Sequence, residues 1–444
     1  RGIESIPSDT VCYPAKLVHG HVQSLVEAGV DFVFYPSVVF ERKEAEEATN
    51  HFNCPVVASY PEVIRVNLDV LREKGIPLVQ PFLTLDNRKA LEQELCRQFA
   101  HIPAGEIRRA LELGWEELER AKEDLRRKGE ETLEYLKRTG KRGIVLSGRP
   151  YHVDPEIHHG IPELITGFGV AVLTEDSIAH LAPAEKDSRV VNQWTYHSRL
   201  YRAARLVARE PLLELVQLTS FGCGLDAITA DAVRSILESR QKMYTLLKID
   251  EINHLGSVRI RIRSLLAAMR ERENRPVPCE AAATGEPEAK KTVLFTKEMK
   301  PDYTILIPQM APIHFELYEE AVRSLGYRAE LLPEATPDMI ETGLKYVNND
   351  ACYPAIVTIG QLVHALRSGK YNPDQTAVIM TQTGGACRAT NYISLLRRGL
   401  REAGMPQVPV ISLNAAGLEK HPGFTLTLPL IRRLAAATVF GDGL

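Results

Sequence analysis

The sequence predicts an α/β protein assembled from parallel sheets, and three observations carry that prediction. Short apolar runs alternate with amphipathic or charged stretches of helical length along nearly the whole chain, the rhythm of strand–helix–strand units. Several apolar runs empty into glycine-bearing turns, as at Gly148, Gly222, Gly224, Gly384 and Gly385. One phrase also recurs: Ser8-Asp9-Thr10-Val11-Cys12-Tyr13-Pro14-Ala15 is echoed by Asn348-Asn349-Asp350-Ala351-Cys352-Tyr353-Pro354-Ala355.

The recurring phrase is a helix entry. Both copies run into residues at helical spacing, Leu17, His21 and Leu25 in the first, Ile356, Ile359 and Leu362 in the second. Proline is tolerated in a first turn because its missing N–H had no intrahelical partner. Each cysteine then sits beside unpaired backbone N–H groups at the positive end of a helix, a setting expected to favour a thiolate.

Composition bounds the function. With 444 residues, 44% hydrophobic and 25% charged, the chain suits a soluble protein of roughly two to four domains. A net charge of -3 argues against a general nucleic-acid or anionic-membrane binder. No apolar run approaches about 18 residues and no signal-peptide pattern is present, so a cytoplasmic location is expected. The chain opens on Arg1, almost directly on the first cysteine motif, so a strand or a whole domain is expected upstream. Seven cysteines, scattered, do not make a secreted disulfide framework.

Taken in order, the chain gives three blocks and a linker. In residues 1–140, the first cysteine helix is followed by an expected buried strand at 30–36 and a charged helix at 41–50. Asn53-Cys54-Pro55-Val56-Val57-Ala58-Ser59 then reads as a strand with Cys54 at its lip. Residues 62–102 alternate helix and strand, and 104–138 reads as one long polar-faced helix. In residues 141–272, strands are expected at 143–148, 170–174, 213–218 and 245–249, with helices at 194–208, 227–238 and 259–270. Pro276, Pro278, Gly285 and Pro287 then break the rhythm, which marks 273–297 as a linker containing Cys279. In residues 298–444, read as a repeat of the first block, strands are expected at 304–308, 329–332, 376–380 and 408–413. Helices are expected at 315–325, before and after Cys352, at 392–403 and at the end.

Cys12, Cys54, Cys223, Cys352 and Cys387 share one context, a strand–helix junction or strand edge, where open parallel sheets bind ligands. Glycines at 222, 224, 384 and 385 let a backbone approach a bulky group and leave N–H groups to meet sulfide or thiolate. Thiolates suit zinc or iron–sulfur clusters, although the long spacings form neither a zinc ribbon nor a ferredoxin CxxC array. A free cysteine is also commonly a small buried apolar side chain, the reading that fits Cys96 and Cys279, which lack the context.

Other groups carry weaker signals. Gly222-x-Gly224-x-x-Ala227 after a strand matches the loose dinucleotide fingerprint, but the intervening Cys223 suits a cluster loop better. His152, Asp154, Glu156, His158 and His159 suit either a hard-metal or acid/base site or a hydrogen-bonded structural loop. Gln193, Trp194, Tyr196, Arg199 and Arg202 read as core and salt-bridge residues. Lys16 and Arg388 stand beside cysteine motifs and could offset anionic charge there.

Seven stretches together resemble the C-terminal region of the large acyl-CoA dehydratase activase-related proteins, of the 2-hydroxyacyl-CoA dehydratase and double-cubane-cluster superfamily: GRPYHVDPEIHHG, QWTYHSRLYRAA, QLTSFGCGLDAITAD, YTLLKIDE, RIRIRSL, GLKYVNNDACYPA and QTGGACRATNYI. The resemblance spans nearly the whole chain. It implies flavodoxin-like domains with an oxygen-sensitive cluster of the 4Fe–4S type between them, held by cysteines of different domains. Cys12, Cys54 and Cys223 resemble the three-cysteine set of one dehydratase-like unit, and Cys352 and Cys387 a second, incomplete set. One cluster, two, or a joined double cubane all remain open.

The resemblance further implies low-potential one-electron transfer powered by an acetate-kinase-like ATPase, on the same chain upstream or separate, with acyl-CoA as a candidate ligand and a homo-oligomer as the expected assembly. No GxxxxGK-Ser/Thr motif or acetate-kinase-type phosphate loop occurs in this chain. An enzyme reading, a 2-hydroxyacyl-CoA dehydratase-like reductase or lyase, needs an open iron site and a CoA pocket. The rival is a non-redox scaffold with structural cysteines that binds CoA or a partner ATPase.

Overall fold

The computed structural model describes residues 1–185, 190–252, 254–274, 292–414 and 419–444. Cys279 and most of the expected linker lie outside them. The chain divides into two compact units, Arg1–Asp187 with Asn192–Glu286, and Ser188–Val191 with Pro287–Leu444. The blocks expected at 1–140 and 141–272 share the first unit.

The first unit opens on α1 (Tyr13–Glu27), entered from Cys12 in extended backbone with proline in the first turn. Two short strands follow, β1 (Val33–Phe34) and β2 (Ser37–Phe40), then α2 (Pro55–Asn67), β3 (Leu78–Val79) and β4 (Phe82–Thr84). β1 pairs with β3 and β2 with β4, both parallel. The breaks fall at Pro36 and Pro81, residues without an N–H to give the ladder. Val22, Val26, Val33, Ile64 and Leu68 form the core of this part. α3 (Arg88–Gln98) leads into α4 (Ala104–Thr139), ended by Gly140 in the left-handed conformation.

Two local expectations fail here. Residues 41–50 form no helix. Their charges instead bridge other elements: Glu44 accepts from Lys122 of α4 at 2.9 Å, and Glu47 accepts from Arg202 at 2.8 Å. The residues after Cys54 are helical rather than a strand, because Pro55 at the first position fits a helix entry as Pro14 does.

The rest of the first unit is a four-stranded parallel sheet. Its strands are β5 (Gly143–Ser147), β6 (Ala171–Thr174), β7 (Leu213–Ser220) and β8 (Tyr244–Ile249). Between them run α5 (Glu175–Ile178), α6 (Thr195–Arg209) and α7 (Asp226–Glu238), and α8 (Gly256–Asn274) closes the unit. The order is β6-β5-β7-β8, the first four strands of the flavodoxin order 2-1-3-4-5, with no fifth strand among the described residues. β5 and β7 are buried along their whole length, as a sheet covered on both faces requires.

The second unit repeats that order. β9 (Thr304–Ile307), α9 (Pro312–Arg323), β10 (Arg328–Leu331) and α10 (Pro337–Tyr346) precede α11 (Tyr353–Arg367). β11 (Thr376–Thr381), α12 (Tyr392–Glu402), β12 (Val410–Leu413) and α13 (Leu428–Gly443) complete it, with strands in the order β10-β9-β11-β12. The two units share one run: cysteine, 15-residue helix, strand, cysteine, helix, strand, with Cys12 and Cys352 capping α1 and α11 in nearly the same dihedrals. Outside that run they differ, four strands in one sheet here against two short pairs in the opening part of the chain.

α11 is seated on α10 by two facing glycines. A Cβ on Gly360 would lie 2.1 Å from the Met339 carbonyl oxygen, and one on Gly343 2.1 Å from that of Ile356. Backbone cannot yield as a side chain does, so Gly360→Ala is expected to destabilise the protein by about 1–3 kcal/mol, read as a lower midpoint in chemical denaturation. An unchanged midpoint would mean that the two helices are not packed this closely.

Candidate functional site

The site grows from the ends of β5 and β7, the two strands at which the order of the first unit's sheet reverses. Loops leave such a point in opposite directions and open a crevice. From β5 comes Arg149, 4% exposed. One end of its guanidinium lies 2.6 Å from Cys223 Sγ and 2.6 Å from Asp226 Oδ1, and the other donates to Tyr151 Oη at 2.8 Å. Its backbone N–H donates to His152 Nδ1 at 2.9 Å. From β7 come Cys223 and Asp226, the latter accepting from the Thr219 hydroxyl at 2.5 Å, with His197 Nε2 3.6 Å away. Burial opposes the charge on Asp226, but Arg149, with help from His197 and Thr219, holds its carboxyl well below the usual carboxylate range.

Three loops bring three cysteines to this guanidinium. Gly222 has φ 74, and a Cβ there would lie 2.4 Å from the Thr10 carbonyl oxygen, so the loop leading to Cys12 is pressed onto the loop of Cys223. Tyr13 is plugged into the sheet's core beside Ile144, Val216 and Leu247, and its hydroxyl lies 3.4 Å from Glu156. Cys54 arrives by another route: Phe52 N–H donates to the Gln193 carbonyl at 2.9 Å and Thr195 N–H donates to that of Phe52 at 3.1 Å. Cys12 lies within electrostatic reach of Cys54, Arg149 and Asp226, and Arg149 within reach of Cys54 as well as Cys223.

At Cys12 the thiolate expectation is corrected. Burial pushes the Cys12 thiol up, outweighing the Ala15 N–H and Arg149. It pushes the Cys223 thiol up to about 12 despite Arg149. Desolvation beats the helix end because a thiolate loses water on all sides and meets few donors.

The other candidates fall in varied places. Lys16 is paired with Glu251 at 2.5 Å, so the cation beside the sulfurs is Arg149. His152 and His158 are buried, and each accepts a backbone N–H, from Arg149 at 2.9 Å and Gly160 at 3.1 Å. Burial and Arg149 hold His152 down, to about 3, and both histidines brace the loop. Gly224 is buried in the turn after Cys223. Cys96 lies in α3, within electrostatic reach of Arg108. Trp194 is core, and Arg199 and Arg202 are ion-paired, as their sequence suggested.

The second unit gathers Cys352 and Cys387 around another arginine. Cys352 Sγ lies 2.6 Å from Tyr392 Oη, and Cys387 Sγ accepts from Ala389 N–H at 3.5 Å. Arg388 hydrogen-bonds Cys352 and feels Tyr392 and Cys387. Burial and the contact with Cys352 push the Tyr392 hydroxyl well up. Gly384 has φ 74 in the loop between β11 and Cys387, and a Cβ on Gly385 would meet open space.

An iron–sulfur cluster fits this donor set in kind. Three thiols come from three loops, a buried guanidinium touches one of them, and Gly222 holds the backbone close. The set is not a preformed chelate: among the described residues no three of His, Cys, Asp or Glu are grouped as metal ligands. Sequence reading passed over Arg149, Asp226 and Tyr392. Their signal was position, each within a few residues of a cysteine or of a buried strand's end.

Fold and site define a parallel α/β protein whose strand-end loops gather thiols around an arginine. Residues 1–178 match the family described as the CoA enzyme activase uncharacterised domain, which fits the resemblance to acyl-CoA dehydratase activase-related proteins. The chain therefore carries a CoA enzyme activase-related domain, and the matched span holds Cys12, Cys54 and Arg149. No curated protein matches the chain.

Two tests follow from this geometry. Gly222→Ala is expected to destabilise the first unit and to raise the reactivity of Cys12 and Cys223 toward a thiol reagent, since the two loops must part. Unaltered reactivity with unaltered stability would contradict their contact. The second concerns Glu175, which accepts from Gly148 N–H at 3.4 Å and Arg199 at 3.1 Å. Burial pushes its carboxyl up to about 7 from an ordinary 4.5, so between those values the folded state binds more protons than the unfolded chain. Its contribution to stability is full below about pH 4.5 and declines as pH rises to 7, by at most about 1.4 kcal/mol per unit. Glu175→Gln is expected to flatten that slope in denaturation curves taken across the window, and an unchanged slope would contradict it.

Proposed function

We propose that this chain is an iron–sulfur protein that takes part in ATP-coupled, low-potential electron transfer. In this reading Cys12, Cys54 and Cys223 hold a cluster of the 4Fe–4S type, with Cys352 and Cys387 as a second set. The observation that carries the reading is the convergence of three separate cysteine loops on the buried guanidinium of Arg149. When bound, the cluster would supply one-electron chemistry.

The chain's own residues do the rest. Arg149 places a fixed positive charge against an anionic centre, and Asp226 keeps that charge oriented. Gly222 and the Phe52–Trp194 bridge hold two of the loops against the third. Because burial keeps Cys12 and Cys223 protonated, loading releases their protons, so affinity falls as pH falls. The partner would be an ATPase of the acetate-kinase-like type. Acyl-CoA is the candidate ligand, consistent with the "CoA enzyme activase" description of the matched family. No helix among the described residues is long and apolar enough to cross a membrane, and cytoplasmic action belongs to the same proposal.

A second reading is favoured by the raised thiols. Cysteines that stay protonated serve as packing groups, and the chain is then a scaffold for CoA or a partner ATPase. Anaerobic purification separates the two. The first reading expects a brown protein with about four irons and matching acid-labile sulfide per occupied cluster, and loss of iron on Cys→Ser at 12, 54 or 223 but not at 96. Stoichiometric zinc without sulfide, or equal iron loss in the Cys96→Ser variant, would contradict it.

A further inference from the structure

The two helix entries built from one cysteine motif differ in access. In the first unit Tyr13 is plugged into the sheet's core, and the Thr10 carbonyl is pressed onto Gly222 beside Cys223. In the second unit Tyr353, which follows Cys352 as Tyr13 follows Cys12, is 61% exposed. A Cβ on Gly385, in the loop before Cys387, would meet nothing within 4 Å. Cys387 is itself exposed and Cys352 half-buried. A small solute therefore reaches the second pair without parting two packed loops.

The groups around the second pair suit sulfur chemistry. Tyr392 Oη lies 2.6 Å from Cys352 Sγ. Arg388, the residue after Cys387, hydrogen-bonds the same sulfur and feels that of Cys387. Tyr392 feels both sulfurs as well. Arg388 makes no ion pair with a carboxylate among the described residues, so its charge is answered by sulfur and phenol. Cysteines that react with oxidants are solvent-accessible, lie beside a cation and often have a second, resolving cysteine at hand.

We propose that Cys352 and Cys387 are a redox pair, which closes to a disulfide when a hydroperoxide reaches the second unit. Cys352 sulfur attacks the terminal oxygen of the hydroperoxide, and the O–O bond breaks. The thiol proton leaves with the alcohol or water released, and Cys352 becomes a sulfenic acid. Cys387 sulfur then attacks Cys352 sulfur, the S–O bond breaks, and the hydroxyl departs as water with the Cys387 proton. Two thiols together lose two electrons, and one hydroperoxide gains them. Cys352 attacks first because Tyr392 and Arg388 both stabilise charge on its sulfur. A disulfide does not bind metal as two thiolates do, so closure withdraws this pair from any ligand set. The inference stands on the second unit's geometry and not on the iron–sulfur reading.

The test uses the 444-residue chain, reduced, stripped with a chelator and exposed to hydrogen peroxide at rising concentration. Alkylation and peptide mass spectrometry then locate each oxidised cysteine. A Cys352–Cys387 bridge is expected at peroxide concentrations about tenfold below those that oxidise Cys96. Cys387→Ser should abolish the bridge and leave a sulfenic acid at Cys352 that dimedone traps. Tyr392→Phe and Arg388→Gln should slow closure severalfold, and slowing by either one supports the assigned order of attack. No bridge between the two cysteines, no dimedone adduct at Cys352 in Cys387→Ser, or an undiminished rate in both other variants would overturn the proposal.

Discussion

A guanidinium taken out of water must be answered by charge, and that requirement organises the first unit. Arg149 is buried at the switch point of the sheet, and Asp226 answers it at 2.6 Å. Leaving either partner alone in such a place costs about 3–5 kcal/mol. The guanidinium nitrogen that meets Asp226 also touches Cys223 Sγ, the other donates to Tyr151, and Cys54 lies within electrostatic reach. The loops of Cys12 and Cys54 have no sequence proximity to that point. They are brought there by a glycine that admits a carbonyl, a tyrosine plugged into the sheet and a bridge between Phe52 and Trp194.

The second unit uses the same parts in another proportion. Its sheet has the same strand order, its first cysteine caps the same length of helix, and its arginine, Arg388, follows directly on the second cysteine. There the Tyr392 hydroxyl takes a place against the sulfur of Cys352. The common element is local: a cysteine at a helix entry, held beside a cation, at the end of a parallel strand. Parallel sheets favour that arrangement because their strand ends and helix starts all face one edge.

Much of this was legible in the sequence. The strands at 213–220 and 376–381 were read at 213–218 and 376–380 from β-favouring apolar residues that run toward glycine turns, a local pattern that needs no tertiary partner to be read. The helix entries at Cys12 and Cys352 were equally plain, since Cys-x-Pro after a polar loop has one cheap conformation. Cys54 misled because Pro55-Val56-Val57 is β-rich in composition, whereas the helix puts Val56 and Ile64 on one face against Val22, Val26 and Val33. Residues 41–50 misled for the opposite reason. Their glutamates look like a helix surface but serve as partners to Lys122 and Arg202, distant in sequence. Arg149 could not be singled out, because nothing local distinguishes a buried arginine from an exposed one.

The central claim is that Cys12, Cys54 and Cys223 share one site. Cross-linking with dibromobimane, which bridges two nearby thiols, followed by peptide mass spectrometry tests it without any metal. The account predicts bridged peptides that join pairs among Cys12, Cys54 and Cys223, with Cys96 modified only singly. Bridges to Cys96, or single modification of all three with no pair among them, would contradict it.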